Sequence, residues 1–459
     1  MNQKHIQHLY WRVGFGILPT ELENISKKSK KEVVDNLFQI SKKITPLEVD
    51  VSDLEELFGG SFDTIKANRN QIQKLSREKT LELNVAWIDR LTYPKELLRE
   101  KMTLFWANHF VCEDNNYIYT QNFHNTLRQY ALGNFKDFVM AISKEAAMTK
   151  YLNTKQNKKQ KPNENFAREL MELFTLGVGN YTEEDIKESA RAFTGYGHNF
   201  EGDFVFRQRQ HDEGVKTFFG KTGAFNGDDI INIILNERQC AKYICGKLYR
   251  YFVNDTINDE HVNQMTNVFY KDYDIENIMR FILLSDWFYD EKNIGTKIKS
   301  PMELLVGMRN VVPVDFKNAK QLLNIQKLLG QILLNPPNVA GWKGGRNWID
   351  SNTIVLRLKL PSLLLNHAYI SKAVSGTTDR FLETKKAIFK KQFGKRFNTV
   401  PDWNVFNAVF KNVDVDDLET LILACKMNDG ASRYLGALSK VSKQEYCVQL
   451  MSLPEYQMC

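Results

Sequence analysis

Ten consecutive positions, 163–172 (NENFARELME), hold two asparagines, one arginine and three glutamates, side chains that can move protons or grip a charged ligand. Leu170, Met171, Leu173, Phe174 and Leu176 overlap them and would draw the segment into a core. Ionised groups beside a core are costly to bury unless they are paired or used. On a helix, Asn165, Arg168, Glu169 and Glu172 share one face, because residues three and four apart are neighbours. That face admits three chemistries. Glu169 or Glu164 could act as acid or base while Arg168 orients an anionic substrate. Glu169 and Glu172 could ligate a metal together with a histidine. Or Arg168 and Glu172 could pair at i,i+4 in a purely structural network. Asn163, Glu164 and Asn165 tilt the balance toward use, since three short polar residues exceed what one helix cap requires.

Six further positions could complete such a site. His109 follows Asn108 in TLFWANHF, among apolar neighbours that fit either a satisfied core histidine or a neutral proton acceptor. His211 and Asp212 lie in a glycine-punctuated stretch, where the bland reading is an Asp-Glu-Gly turn and the functional one is a histidine partner for a carboxylate. Lys216 could hold an anion there. In AGWKGGRNW, Trp342 could stack on a sugar-like ligand with Arg346 as an anion clamp, or simply anchor an irregular loop. No G-x-S-x-G, HExxH, paired CxxC or Walker sequence occurs, so serine-hydrolase, zincin, zinc-ribbon and P-loop mechanisms lack motif support.

The elements that must carry these groups read mostly as amphipathic helices. Thr20 with Glu23 and Ser29 with Glu32 fit capping boxes. Residues 63–92 repeat apolar groups at helical spacing, and Pro94 suits the first turn of the helix that follows. Gly133 and Asn134 divide helix 117–132 from helix 135–153. Gly177 and Gly179 end the 163–176 helix, and Thr182 with Asp185 starts the next. Residues 200–224 break the pattern with alternating Phe204 and Phe206 and four glycines, which predicts one small β-hairpin or ordered loop. Helical patterning returns over 228–310 and 350–370, around an irregular 335–349.

The chain is 43% hydrophobic and 25% charged, the balance of a globular protein able to bury a core without disulfides. A net charge of +7 is weak for 459 residues and shows no basic stripe, so nucleic-acid binding is not expected. Six cysteines form no spaced framework, which fits a reducing compartment. No apolar run reaches membrane-spanning length, and the N-terminus lacks a signal-peptide core. The expected location is cytoplasmic, with export from a longer precursor left open.

Several segments together resemble the bacterial "domain of unknown function 1800" proteins. They are RVGFG (12–16), REKMTLFWANHF (99–110), ALGNF (131–135), PNENFARELMELFTLGVGNYTEEDI (162–186), ARAFTGY (190–196), HDEGVKTFFG (211–220), FNGDD (225–229), KSPMELLVGMR (299–309) and NPPNVAGWKGGRNWI (335–349). These span about residues 8–366. The resemblance implies a mostly helical fold and no known activity. It also implies kinship with proteins that often look exported, some encoded beside sulfatase-like or phosphatase-like proteins. Ala107 stands where many relatives have histidine, which argues against a two-histidine site on that helix.

The expectation is therefore a mainly α, multi-helix bundle with one β insertion near 200–224. A core domain would cover 1–370, and a C-terminal helical extension, 371–459, would pack on it. The lead function is an enzyme using carboxylate/histidine acid-base chemistry on a polar, anionic or glycan-like small molecule, with hydrolysis or lysis as the mildest guess. Its catalytic set is Glu169, Glu164, His211, His109 and Asp212; its binding set is Asn163, Asn165, Arg168, Glu172, Lys216, Trp342 and Arg346. No cofactor and no metal ligand is assigned in that reading. The alternatives are a non-catalytic scaffold or partner-binding protein, and a metal-dependent enzyme using Glu169, Glu172 and His211.

Overall fold

Side-chain caps fix where many of the helices begin. Ser29, Thr182, Asn226 and Ser300 each accept from the backbone three residues on, while Glu32, Asp185, Asp229 and Glu303 reach back to the cap. Each such cap is worth about 1 kcal/mol. Thr20 does not cap: the helix begins one residue earlier, at Pro19, whose fixed φ and missing N–H suit a first helical position. Pro94 likewise stands upstream of its helix, which runs Leu97–Ala107.

The computed structural model describes residues 1–58, 66–351, 353–366, 397–436 and 441–459. Among them are 22 α-helices and only two-stranded sheets, 61% helix in all, so the protein is mainly α. The expected helix start at 63, the end of helix 350–370, and residues 371–396 of the extension lie outside the described residues. The long helix before Pro94 is described over Arg69–Thr92.

Leu97–Ala107 is buried on every side from Leu98 onward. It packs against Gln3–Val13, Lys30–Ile40, Arg69–Thr92 and Tyr117–Tyr130. A helix enclosed in this way must satisfy its charged members inside the protein. Arg99 donates to the carbonyls of Ser41 and Arg128. Glu100 meets Arg128 at 2.6 Å, and Lys101 meets Glu303 at 2.5 Å. The Trp106 indole N–H finds the Ala131 carbonyl at 3.0 Å. Elsewhere Gly307 lets Pro301–Val311 approach Trp11: a Cβ there would stand 2.6 Å from the indole.

Where one hairpin was expected there are two. Tyr196–His198 pairs antiparallel with Phe204–Phe206, and Lys216–Phe218 with Lys221–Gly223. The second turns through Phe219 (φ 48°) and Gly220 (φ 71°), the two positive φ values of a tight hairpin turn. A third pair, Val314–Phe316 with Thr399–Pro401, ties the C-terminal part to the body. Further ties are backbone bonds between Lys297 and Cys459 and from Lys299 N–H to Gln457, together with a 3.0 Å bond from Arg357 to Gln457. Phe406, Leu418, Leu450 and Tyr456 share one hydrophobic cluster with Trp106 and Phe110.

Candidate functional site

The helix that carries the 163–172 polar run changes pitch half-way. Asn165–Glu169 is α-helical, and Leu170–Thr175 is a π-turn. Its widened ladder joins Leu176 N–H to the Met171 carbonyl. The carbonyls at its end are satisfied from outside. Gln239 donates to Leu176 (2.9 Å), Tyr243 to Leu173 (3.1 Å), Lys247 to Leu173 (3.0 Å) and His109 to Phe174 (3.1 Å). Gln239, Tyr243 and Lys247 recur every fourth residue along Arg238–Phe252, so one helix face presents three donors in a row. Single π-turns concentrate at functional sites.

His109 links this turn to a cavity. A carbonyl only accepts, so the ring nitrogen facing Phe174, Nε2, carries the proton. Nδ1 is then bare and accepts from the Lys247 ammonium at 3.0 Å. Burial, and secondarily Lys247, hold His109 well below the usual histidine pKa, so the ring is neutral. Burial, and secondarily Arg250, bring Lys247 down to about 8.

The cavity measures about 1210 Å³. His109, Lys247, Arg250 and Tyr251 line it, as do Asp255, Lys297 and Glu303 and the loop residues Trp342, Lys343, Arg346 and Trp348. Asn108 fixes the Trp342 loop in place. Its side-chain oxygen accepts from Trp342 N–H at 2.7 Å, and its NH2 donates to the Trp342 carbonyl at 3.0 Å. Gly341 makes that approach possible, with φ 75° and a virtual Cβ only 2.3 Å from the Asn108 oxygen.

Both cavity carboxylates are already engaged. Asp255 pairs with Lys297. Burial alone would raise the Glu303 carboxyl, but Lys101 overcomes it and, with the Ser300 N–H, holds it at about 2. Arg250, Lys343 and Arg346 are exposed, and no carboxylate among the described residues pairs with them. The cavity thus offers unpaired positive charge beside two largely buried indoles.

Residues 8–458 match the family model for "Protein of unknown function (DUF1800)". The chain belongs to the DUF1800 family. The match runs well past residue 366, where the recognisable motifs ended, and takes in the C-terminal part. No curated protein and no solved structure matches the chain.

Of the candidate residues in this DUF1800 chain, His109, Trp342 and Arg346 line the cavity, and the others do not. Arg168 pairs with Glu183 through two 2.9 Å bonds and with Glu164 at 3.1 Å, a half-exposed network that leaves Glu172 to Tyr181 (2.9 Å). The Arg168–Glu172 pair, one of the three alternatives for this face, does not form, because Glu183 at the next helix start presents both oxygens to the guanidinium. Asn163 bonds the Asn165 N–H through its side chain and the Asn157 side chain through its own N–H. Glu169 is half-buried, and burial, then Glu172, raise its pKa. His211 faces the Thr194 carbonyl at 2.9 Å. Asp212 is held by Arg191, which lowers its pKa, and Lys216 caps the Asp212 and Gly214 carbonyls. These three residues knit the 211–216 turn together. Among the described residues no three histidine, cysteine, aspartate or glutamate side chains gather closely enough for a metal, so Glu169, Glu172 and His211 are not such a set.

Sequence reasoning missed Asn108, Lys247, Arg250 and Glu303 as cavity residues. The sign of Lys247 was present in RQCAKYICGKLYRYF, two lysines and two arginines within a helix whose cysteines sit in the core.

Proposed function

We propose that the cavity binds a polar, anionic, glycan-like molecule and that the His109–Lys247 pair handles protons there. The observation that carries this reading is the set of unpaired cations, Arg250, Lys343 and Arg346, beside Trp342 and Trp348. Guanidinium groups suit carboxylate or phosphate, and an indole suits a sugar face. A carboxylate-pair glycosidase mechanism needs one protonated and one free carboxyl, whereas Asp255 and Glu303 are both committed to lysines. Glu169 and His211 lie outside the cavity lining, so His109 and Lys247 are the bases this reading uses. The six unpaired cysteines support a reducing, cytoplasmic setting. No helix of the described residues is long and apolar enough to cross a membrane.

The test is calorimetric titration with uronic-acid oligosaccharides and neutral oligosaccharides of equal length. The expected result is binding of the charged series alone, weakened roughly tenfold by Arg346→Ala, about 1.4 kcal/mol. Equal binding of both series, or binding indifferent to Arg346→Ala and Trp342→Ala, would refute it. A scaffold role has one specific support, the self-contained Arg168–Glu164–Glu183 network, and equal failure of both series would favour it.

A further inference from the structure

We propose that Lys247 is a pre-aimed nucleophile that forms an imine with the carbonyl group of an anionic aldehyde or ketone entering the cavity; its anionic part rests on the function proposed above. A lysine nitrogen has three positions besides its own carbon. Two are taken by partners that can only accept: the Leu173 carbonyl and His109 Nδ1, each at 3.0 Å. The second is acceptor-only because the Phe174 carbonyl claims the other ring nitrogen's proton. When the ammonium loses a proton it keeps both donations, and neither partner can use the lone pair. The lone pair must occupy the third position, on the side where Lys247 borders the cavity. Lys297 in the same lining, and Lys101 on the lining carboxylate Glu303, are each tied to a carboxylate, whereas no carboxylate among the described residues pairs with Lys247. Lys299 also has no carboxylate partner among them, but it is fully buried and does not line the cavity.

The surroundings favour the free amine. Burial is the main cause and Arg250 the second, as for amines activated by desolvation and a neighbouring cation. His109 is neutral, and Lys343, Arg346, the Asp255–Lys297 pair and Glu303, which is held by Lys101, line the same cavity. The Tyr243 ring, 4.9 Å from the nitrogen, opposes with a modest preference for the cation.

The step balances without a co-reactant. The nitrogen pair adds to the carbonyl carbon, and the π pair moves to oxygen. The proton directed at His109 passes to Nδ1 and on to that oxygen. The hydroxyl then departs with the second nitrogen proton as water, and C=N remains.

The experiment treats the full-length protein with pyridoxal 5′-phosphate, an aldehyde bearing a phosphate, or with glycolaldehyde, a neutral one. Cyanoborohydride traps the imine, and peptide mass spectrometry locates it. Lys247 is expected to label first, with a pH midpoint near 8. At that pH about half of it is free amine, against roughly one part in 250 for a solvated lysine. The phosphate-bearing aldehyde should react faster than the neutral one, and Arg346→Ala, a change at an exposed position, should erase that difference. Selectivity should vanish in denaturing urea. Labelling of Lys247 no faster than that of exposed Lys343 by either aldehyde overturns the nucleophile. Labelling by glycolaldehyde with no advantage for the phosphate upholds it and overturns the anionic reading of the cavity.

Discussion

Glu303→Gln removes a charge from the cavity wall without removing the oxygen that faces Lys101. The wild-type pair is enclosed, with side-chain exposures of 1% for Lys101 and 13% for Glu303, and a separation of 2.5 Å. The other acceptor recorded for the Lys101 ammonium is the neutral Gly14 carbonyl at 2.9 Å. Glu303 falls from 4.5 to about 2 on folding. At about 1.4 kcal/mol per unit this amounts to about 3 kcal/mol. The same size is expected when a buried ion is stripped of its partner. Because the folded-state value is depressed, the contribution is complete above about pH 4.5 and is lost as pH falls through about 2. Urea unfolding at a series of pH values, for wild type and Glu303→Gln, should show a gap of about 3 kcal/mol at pH 7 that closes between those limits. A gap below about 1 kcal/mol at pH 7, or one that persists unchanged at pH 2, would refute the argument. The glutamine keeps the hydrogen bond, so such a result would mean that the charge itself is worth little there.

The Asn108 clamp and the polar helix give two contrasting expectations. Asn108→Ala removes two bonds to the Trp342 backbone and should cost about 2 kcal/mol in thermal unfolding, with a change in tryptophan fluorescence as the loop loosens. Gly341→Ala should cost a similar amount, and the double variant should cost less than the sum, because the tightest contact it introduces is with the Asn108 side chain; strict additivity would show that the two do not act on each other. Arg168→Ala should cost less than about 1 kcal/mol and leave ligand binding in the cavity unchanged, since Arg168, Glu164 and Glu183 are 36%, 39% and 69% exposed. A larger loss in urea unfolding would show that the network shields a buried charge.

Local chemistry was legible from the chain. Ser29 with Glu32, and Thr182 with Asp185, act within four residues, so their caps could be read directly. Gly177 and Gly179 take positive φ where the helix was expected to stop. The division into two hairpins was not legible, because all four strands are three residues each and Tyr196–His198 lies before the 200–224 stretch that shows the alternation. The π-turn at Leu170–Thr175 was also hidden. It has no residue signature of its own and persists because Gln239, Tyr243, Lys247 and His109 satisfy its carbonyls from other elements.

Sequence by itself determined the helical class, the glycine and cap boundaries, and a list of residues able to do chemistry, because these depend on neighbours a few positions apart. Only the tertiary structure decided which of those residues face a common hollow. Arg168 found Glu183 instead of Glu172, His211 turned to its own loop, and His109 met Lys247, a residue 138 positions away. The physical reason is that a charged side chain settles on whichever partner the packed core brings within about 3 Å, and distance along the chain carries no information about that.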